Sequence, residues 1–354
     1  MLKKHYLWGT GLVVLLAAVL GFVIFEDRKP QVKLSGSRDH KIDQIITATN
    51  FKGTAMVLKP GQAPDFHSVG YGNAAKQELN TPDTVFAIAS VEKTMTAAMI
   101  MQLIVAKKLS FTTKLAHFYP QIPGASQVTM RQLLDHQSGY LTDEIPLAEQ
   151  PQSEKGAIAF AISQINDQTS QAFQYDNANY VLLAGIIRQV TGKSFAANLQ
   201  QRIIQPLKLQ HTFNFDQIPP MQKLALPYAK TSRRDYHPAH ITPKLYGALL
   251  GAGNLFMSIR DLTTFMASLH NGQVLTASQF QTLTKRNADS NYAAGWFALD
   301  NGDLAVMGMY DDYPGTYQAY VAYNHHFTTG VILLANQSTD VALQDLGDEL
   351  MGLN

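Results

Sequence analysis

The sequence predicts an α+β protein. One antiparallel sheet is built from both ends of the chain, with terminal helices on one face and an inserted all-helical region on the other. Three observations carry this. Short strand-like runs lie at 53–58 and 66–71, and again between 295 and 335. Helical periodicity fills the interval between them. Further helical patterns at 41–50 and 340–351 give each end of the body a helix to lay over the sheet. The crevice between sheet and helical region is then the expected site.

Composition narrows the function classes. The 354 residues are 46% hydrophobic, enough for a large core. Net charge is +1, from 28 basic and 27 acidic residues, which gives no electrostatic ground for nucleic acid. The chain has no cysteine, which excludes disulfides, thiolate catalysis and cysteine-ligated metal. Its 11 histidines fall in no metal-binding spacing, so neither metal nor cofactor is expected.

Lys3 and Lys4 precede an uncharged run at 6–25, closed by Glu26, Asp27, Arg28 and Lys29. At helical rise such a run spans about 30 Å, the hydrocarbon thickness of a bilayer. No small-x-small cleavage site follows it. The expectation is a single-pass membrane anchor at 1–25 with a cytoplasmic N-terminus, a polar linker at 26–41 and an extracellular domain at 42–354.

In the body, Ile42, Ile45 and Ile46 set the first helix. Pro60-Gly61 separates the first two strands. Residues 128–139 read as a short helix closed by Gly139, in which His136 is a core or cap group rather than a catalyst. Helices are expected at 153–165, at 180–190 ending on Thr191-Gly192, at 195–204 stopping before Pro206, and at 261–269. Residues 224–240 form a loop in which Lys230, Arg233, Arg234, His237 and His240 make a solvated face. Asn301-Gly302 predicts a type I′ hairpin turn between 295–299 and 304–309. His325 and His326 sit exposed at a later turn.

The stretch 86–106 organises the rest. Between Ala97 and Ala106 its one polar residue is Gln102, so the helix is apolar all round and buried. Ser90 lies at its start and Lys93 one turn on, on the same face, within reach of the serine proton. A lysine at the mouth of a buried helix is driven toward its neutral, basic form.

Five segments in order then make the chain resemble the serine β-lactamase and penicillin-binding protein superfamily, in its class C and esterase-like branch. They are DTVFAIASVEKTMTAAMIMQLI, VTMRQLLDHQSGY, YDNANYVLLAGIIRQVTGKSF, GAGNLFMSIRDLTTFMASL and YPGTYQAYVAY, within roughly residues 42–350. The resemblance implies the β-lactamase/transpeptidase-like fold. It also implies Ser90 as an acylated nucleophile, Lys93 as its proton acceptor and Tyr175 as a second proton carrier. Asn177 is then the group that holds Lys93 and the substrate, and the Ser90 N–H half of an oxyanion hole.

The third family motif, a lysine or histidine followed two residues later by glycine, departs from the pattern. Counted back from Pro314-Gly315, its positions fall on Met309-Tyr310-Asp311, and the second oxyanion donor on the N–H of Asp312. In the family's D-alanyl-D-alanine peptidases and β-lactamases the motif's cation helps to bind a free substrate carboxylate. Met309, Asp311 and Asp312 instead imply a cationic substrate. With an extracellular site, the expected partner is a cell-envelope polymer, and the expected reaction is removal of D-alanyl esters from teichoic acid. Lys230, Arg233 and Arg234 then stand as possible phosphate contacts. The alternatives are a D,D-carboxypeptidase or weak β-lactamase acting on peptidoglycan peptide, and a non-catalytic wall-polymer binding or sensor protein on the same fold.

Overall fold

The computed structural model describes residues 34–353 apart from 143–150, 152, 167–169, 232–233, 287–289, 300, 311–312 and 314. The expected anchor at 1–25, most of the linker, and Arg233, Asp311 and Asp312 lie outside the described residues. Among those described, no helix is long and apolar enough to cross a membrane.

The sheet from both ends is present. Seven strands pair antiparallel in the order Tyr292–Ala293, Trp296–Ala298, Leu304–Met309, Gln318–Tyr323, Gly330–Ala335, Gly53–Leu58 and Asp65–Val69. The N-terminal strand joins the C-terminal set through Gly53–Leu58 and Gly330–Ala335, with Met56 opposite Ile332. The strand Gly330–Ala335 is buried along its length because both sheet faces are covered. Val331 and Leu333 meet the terminal helices, whereas Ile332 and Leu334 meet the helical region. Alternation of side chains across a strand requires this division.

The terminal helices are Arg38–Ala48 and Leu343–Gly352. The first begins inside the stretch expected to be linker, because Ser37 caps it by accepting from His40 N–H. Ile42, Ile45 and Ile46 pack with Leu343, Leu346 and Leu350 over Val57, Tyr320 and Val331. Each such side chain stabilises by about 1.5–3 kcal/mol when fully buried.

The helical region supplies the second core. Its centre is Glu92–Val105, buried from Glu92 through Met101. Ala178–Thr191 packs beside it and ends on left-handed Gly192, as expected. Three details differ from the sequence reading. The short helix expected to close at Gly139 is Met130–Leu134, and left-handed His136 follows it. The helix from Phe195 does not stop before Pro206: a π-helical stretch, Gln200–Ile204, leads into Gln205–Leu207, where proline takes a first-turn position. The turn before Leu304–Met309 is not a two-residue type I′ turn, since Leu299 N–H donates to Asp303 O across a longer loop in which Gly302 is left-handed. Gly302 N–H donates to Leu299 O, the pattern of a longer loop closed by a glycine bulge.

A second sheet of three strands, Val85–Ala87, Leu255–Ser258 and Thr212–Asn214, fixes the approach to Ser90. Phe256 pairs with Ala87, and Ile88 N–H donates to Leu255 O at 3.0 Å. The 251–255 segment is thereby held alongside the Ser90 turn.

One contact sets the spacing of the C-terminal helix. A Cβ on Gly347 would stand 2.4 Å from the Tyr320 ring. Gly347→Ala should therefore lift the helix and cost about 1–3 kcal/mol by urea denaturation. An unchanged midpoint would contradict this packing.

Candidate active site

Ser90 sits in a 3-10 turn, Ala89–Val91, that runs directly into the buried helix. Ala89 is left-handed at φ 45°, a conformation that costs a non-glycine residue about 1–3 kcal/mol and persists where its surroundings impose it. The surroundings here are backbone. A Cβ on Gly308 would meet Ile88 O at 2.4 Å and Ser90 N at 3.1 Å, and one on Gly253 would lie 3.4 Å from Ala89 C.

Lys93 is 1% exposed, and its Nζ lies among three oxygens. These are Ser90 Oγ at 2.9 Å, Asn177 Oδ1 at 2.8 Å and Ala252 O at 2.7 Å. Tyr175 OH donates to Ser90 Oγ at 2.8 Å. Nζ also stands 5.0 Å from the centre of the Tyr175 ring. Ser90, Lys93, Tyr175 and Asn177, up to 87 positions apart in the sequence, thus form one hydrogen-bonded cluster.

Asn177 is free for this because it does not cap its helix. Asp176 performs that task, its Oδ1 accepting from Ala178 N–H at 2.7 Å in an Asx turn. Asp176 Oδ2 accepts from Thr142 N–H and Oγ1, and burial, opposed by these bonds, raises its pKa.

Sequence reasoning missed three contributors. Glu92, between Ser90 and Lys93, is fully buried and accepts from the N–H groups of Asn254 and Leu255. It ties down the loop that presents Ala252 O. A charged residue inside an otherwise apolar helix was its available signal. Ala252 acts through its carbonyl, which no side-chain motif reveals. His136 is in the core, as expected, but it touches the site: its ring centre is 4.2 Å from that of Tyr175.

Of the positions counted for the third motif, Asp311 and Asp312 lie outside the described residues. The glycine found against the Ser90 turn is Gly308, at the end of the strand Leu304–Met309. Val306, two residues back, shares its face and is 2% exposed among the residues of the helical-region core. An aliphatic side chain therefore occupies the face on which the family pattern has a cation. Met309, where the count put that cation, falls on the alternate face and is 51% exposed. No insertion within the strand is needed, since it pairs without a bulge from Leu304 to Met309. The extra residues fall after it.

Among the described residues of the basic loop, two cations have partners. Lys230 bonds Asp340, and Arg234 lies 3.1 Å from His237 Nδ1. That favours the solvated-face reading over phosphate contact. Among the described residues no group of side chains is arranged to hold a metal.

Residues 38–352 match the family described as Beta-lactamase. The chain belongs to the Beta-lactamase family. A teichoic acid D-alanine hydrolase of Staphylococcus aureus is 24% identical to it over 94% of this chain and 80% of that protein. The crystal structure of FmtA from Staphylococcus aureus superposes with TM-score 0.76 at 23% identity, covering 90% of this chain and 89% of that one. A class C β-lactamase from Rhodobacter sphaeroides gives TM-score 0.70 at 20% identity, covering 90% and 98%. These likenesses establish the β-lactamase/transpeptidase-like fold. With the family and its hydrolase relatives, they support a serine hydrolase.

Two measurements test this Beta-lactamase family site. Gly308→Ala should push the strand from the Ser90 turn and lower the rate of Ser90 acylation by about 10²-fold, as small misplacements at a reacting centre do. A wild-type rate would remove the close approach from the account. The second concerns Glu92, whose pKa burial pushes up to about 8, against the opposing N–H bonds and the Lys93 charge. The folded state then holds a proton that the unfolded state loses near 4.5. Stability is fully present below that value and falls as pH rises toward about 8, by up to ~1.4 kcal/mol per pH unit for one proton. Urea denaturation across that range should show a flatter profile for Glu92→Gln; an identical slope would contradict the assignment.

Proposed function

We propose that the protein removes D-alanyl esters from teichoic acid through a Ser90 acyl-enzyme, outside the cell and anchored by residues 1–25. The observation that carries this reading is the pairing of an intact Ser90–Lys93–Tyr175–Asn177 cluster with Val306 in place of the family's cation. The cluster fits acyl transfer. The missing cation disfavours acyl donors that end in a free carboxylate, such as D-alanyl-D-alanine peptides and penicillins. A D-alanyl ester has a free ammonium and no carboxylate beside it. The name of the Staphylococcus aureus relative supports the same substrate.

The geometry gives each residue a task. In the neutral amine form, Lys93 has two N–H bonds to place, and Asn177 Oδ1 and Ala252 O receive them. Its lone pair is then aimed at Ser90 Oγ–H. As Oγ attacks the ester carbonyl, the proton passes to Nζ. Negative charge collects on the carbonyl oxygen, facing the Ser90 N–H, which as an early helix N–H has no partner within its own helix. With Gly308 as the motif's glycine, the second donor moves from position 312 to the N–H of Met309. The C–O bond to the polymer breaks, and the departing alkoxide takes a proton through Tyr175 OH. The Tyr175 oxygen recovers a proton from Lys93, which restores the amine. Water then attacks the D-alanyl ester on Ser90, gives its proton to the same relay, and frees D-alanine.

Incubation with D-alanylated teichoic acid should release D-alanine, and Ser90→Ala should abolish release. Lys93→Met should lower the rate by about 10²–10⁴-fold, the usual worth of a positioned general base. Release from a D-alanyl-D-alanine peptide with none from teichoic acid would replace this reading by the carboxypeptidase one. Polymer binding without turnover on any substrate would favour a sensor.

A further inference from the structure

We propose that His136 is a positioning residue for Tyr175, gripping the backbone on both sides of the phenol and backing its ring so that the hydroxyl stays on Ser90 Oγ. The inference rests on the reading of Ser90 as nucleophile and of Tyr175 as its proton carrier. Ahead of Tyr175, Gln174 N–H donates to the carbonyl oxygen of His136 at 2.7 Å. Behind it, Asp176 N–H donates to His136 Nδ1 at 3.3 Å. One residue thus holds both neighbours of the catalytic tyrosine, about 40 positions along the chain from itself.

The imidazole is itself fixed. Asn179 Nδ2 gives Nδ1 a second donor at 3.1 Å, and Asn179 is oriented because its Oδ1 accepts from Ser138 Oγ at 2.6 Å. Backbone N–H can only donate, so Nδ1 carries a lone pair and the ring proton is on Nε2. The ring lies tilted by 35° against Tyr175, with Tyr180 and Tyr292 at 5.2 and 4.9 Å. His136 is fully buried and left-handed at φ 53°, a region where histidine is enriched among non-glycine residues. Burial first and the charge of Lys93 second push its pKa well below the usual value, which preserves the neutral form that can accept. The position asks for an acceptor, a flat ring and a left-handed backbone together. The titratable groups around Tyr175 include Lys93, His136, Asp176, Tyr180 and Tyr292.

Two variants separate the demands. His136→Asn keeps an acceptor where Nδ1 stood and tolerates the backbone, but loses the ring. His136→Phe keeps a ring and loses the acceptor. The readouts are the rate at which a fluorophosphonate phosphonylates Ser90 with loss of fluoride, which does not depend on the natural acyl donor, and the ¹³Cζ resonance of Tyr175, assigned by its loss in Tyr175→Phe. His136→Phe should slow labelling by about 10²-fold and displace the Tyr175 titration, while His136→Asn stays within about tenfold of wild type. Equal slowing in both variants, or a wild-type rate and unmoved resonance in His136→Phe, overturns the proposal. Imidazole ¹⁵N shifts of the wild type test the clamp even where a variant does not fold. A neutral ring protonated on Nε2 supports it, and a proton on Nδ1 refutes it. Failure of the probe to label wild type would remove Ser90 as nucleophile, and the Tyr175 resonance would still decide whether His136 holds the tyrosine.

Discussion

The structure depends on how a buried amine is satisfied. Removing a lysine from water is costly unless its polar head is fully hydrogen-bonded. Lys93 Nζ meets that condition with Ser90 Oγ, Asn177 Oδ1 and Ala252 O. The three oxygens come from three parts of the chain, so the helix start, the turn before Ala178–Thr191 and the 251–255 loop must all be in register. Each is anchored separately. Asp176 relieves Asn177 of capping, Glu92 ties down the loop, and Gly308 lets the sheet edge approach the Ser90 turn.

The same arrangement places chemistry at the seam between sheet and helical region. The hydrogen-bonded side chains of the cluster come from the helical side, while the sheet contributes backbone through a strand whose inward positions are Val306 and Gly308. A cation there would present a fixed charge to substrate. Val306 carries no charge there, which is the ground for the proposed preference for an acyl donor without a free carboxylate. On the proposed reading, chemistry and substrate choice are carried by separate elements, which is how one fold can host several acyl donors.

How much could be read from the sequence follows from how local each signal is. The helices and the sheet built from both ends rest on periodicity and terminal composition, and they were legible. Ser90 and Lys93 were legible because one helical turn relates them. Tyr175 and Asn177 needed the resemblance, since no local rule joins them to Ser90. For the third motif, counting back from Gly315 assumes a fixed loop length, whereas the glycine that stands against the Ser90 turn is Gly308. His136 was assigned to the core correctly, but its proposed role rests on two long-range bonds, one to its carbonyl oxygen and one to Nδ1, that no local pattern encodes. Loops tolerate changes in length more readily than strands do, so registers counted across them are the least secure.

The most direct test is to catch the covalent intermediate. The protein would be mixed with D-alanylated teichoic acid, quenched in acid at short times and digested for mass spectrometry. The account predicts a D-alanyl ester on the peptide containing Ser90, appearing before free D-alanine and absent in Ser90→Ala. Release of D-alanine with an unmodified Ser90 peptide at every time, or an acyl group on a different residue, would contradict it.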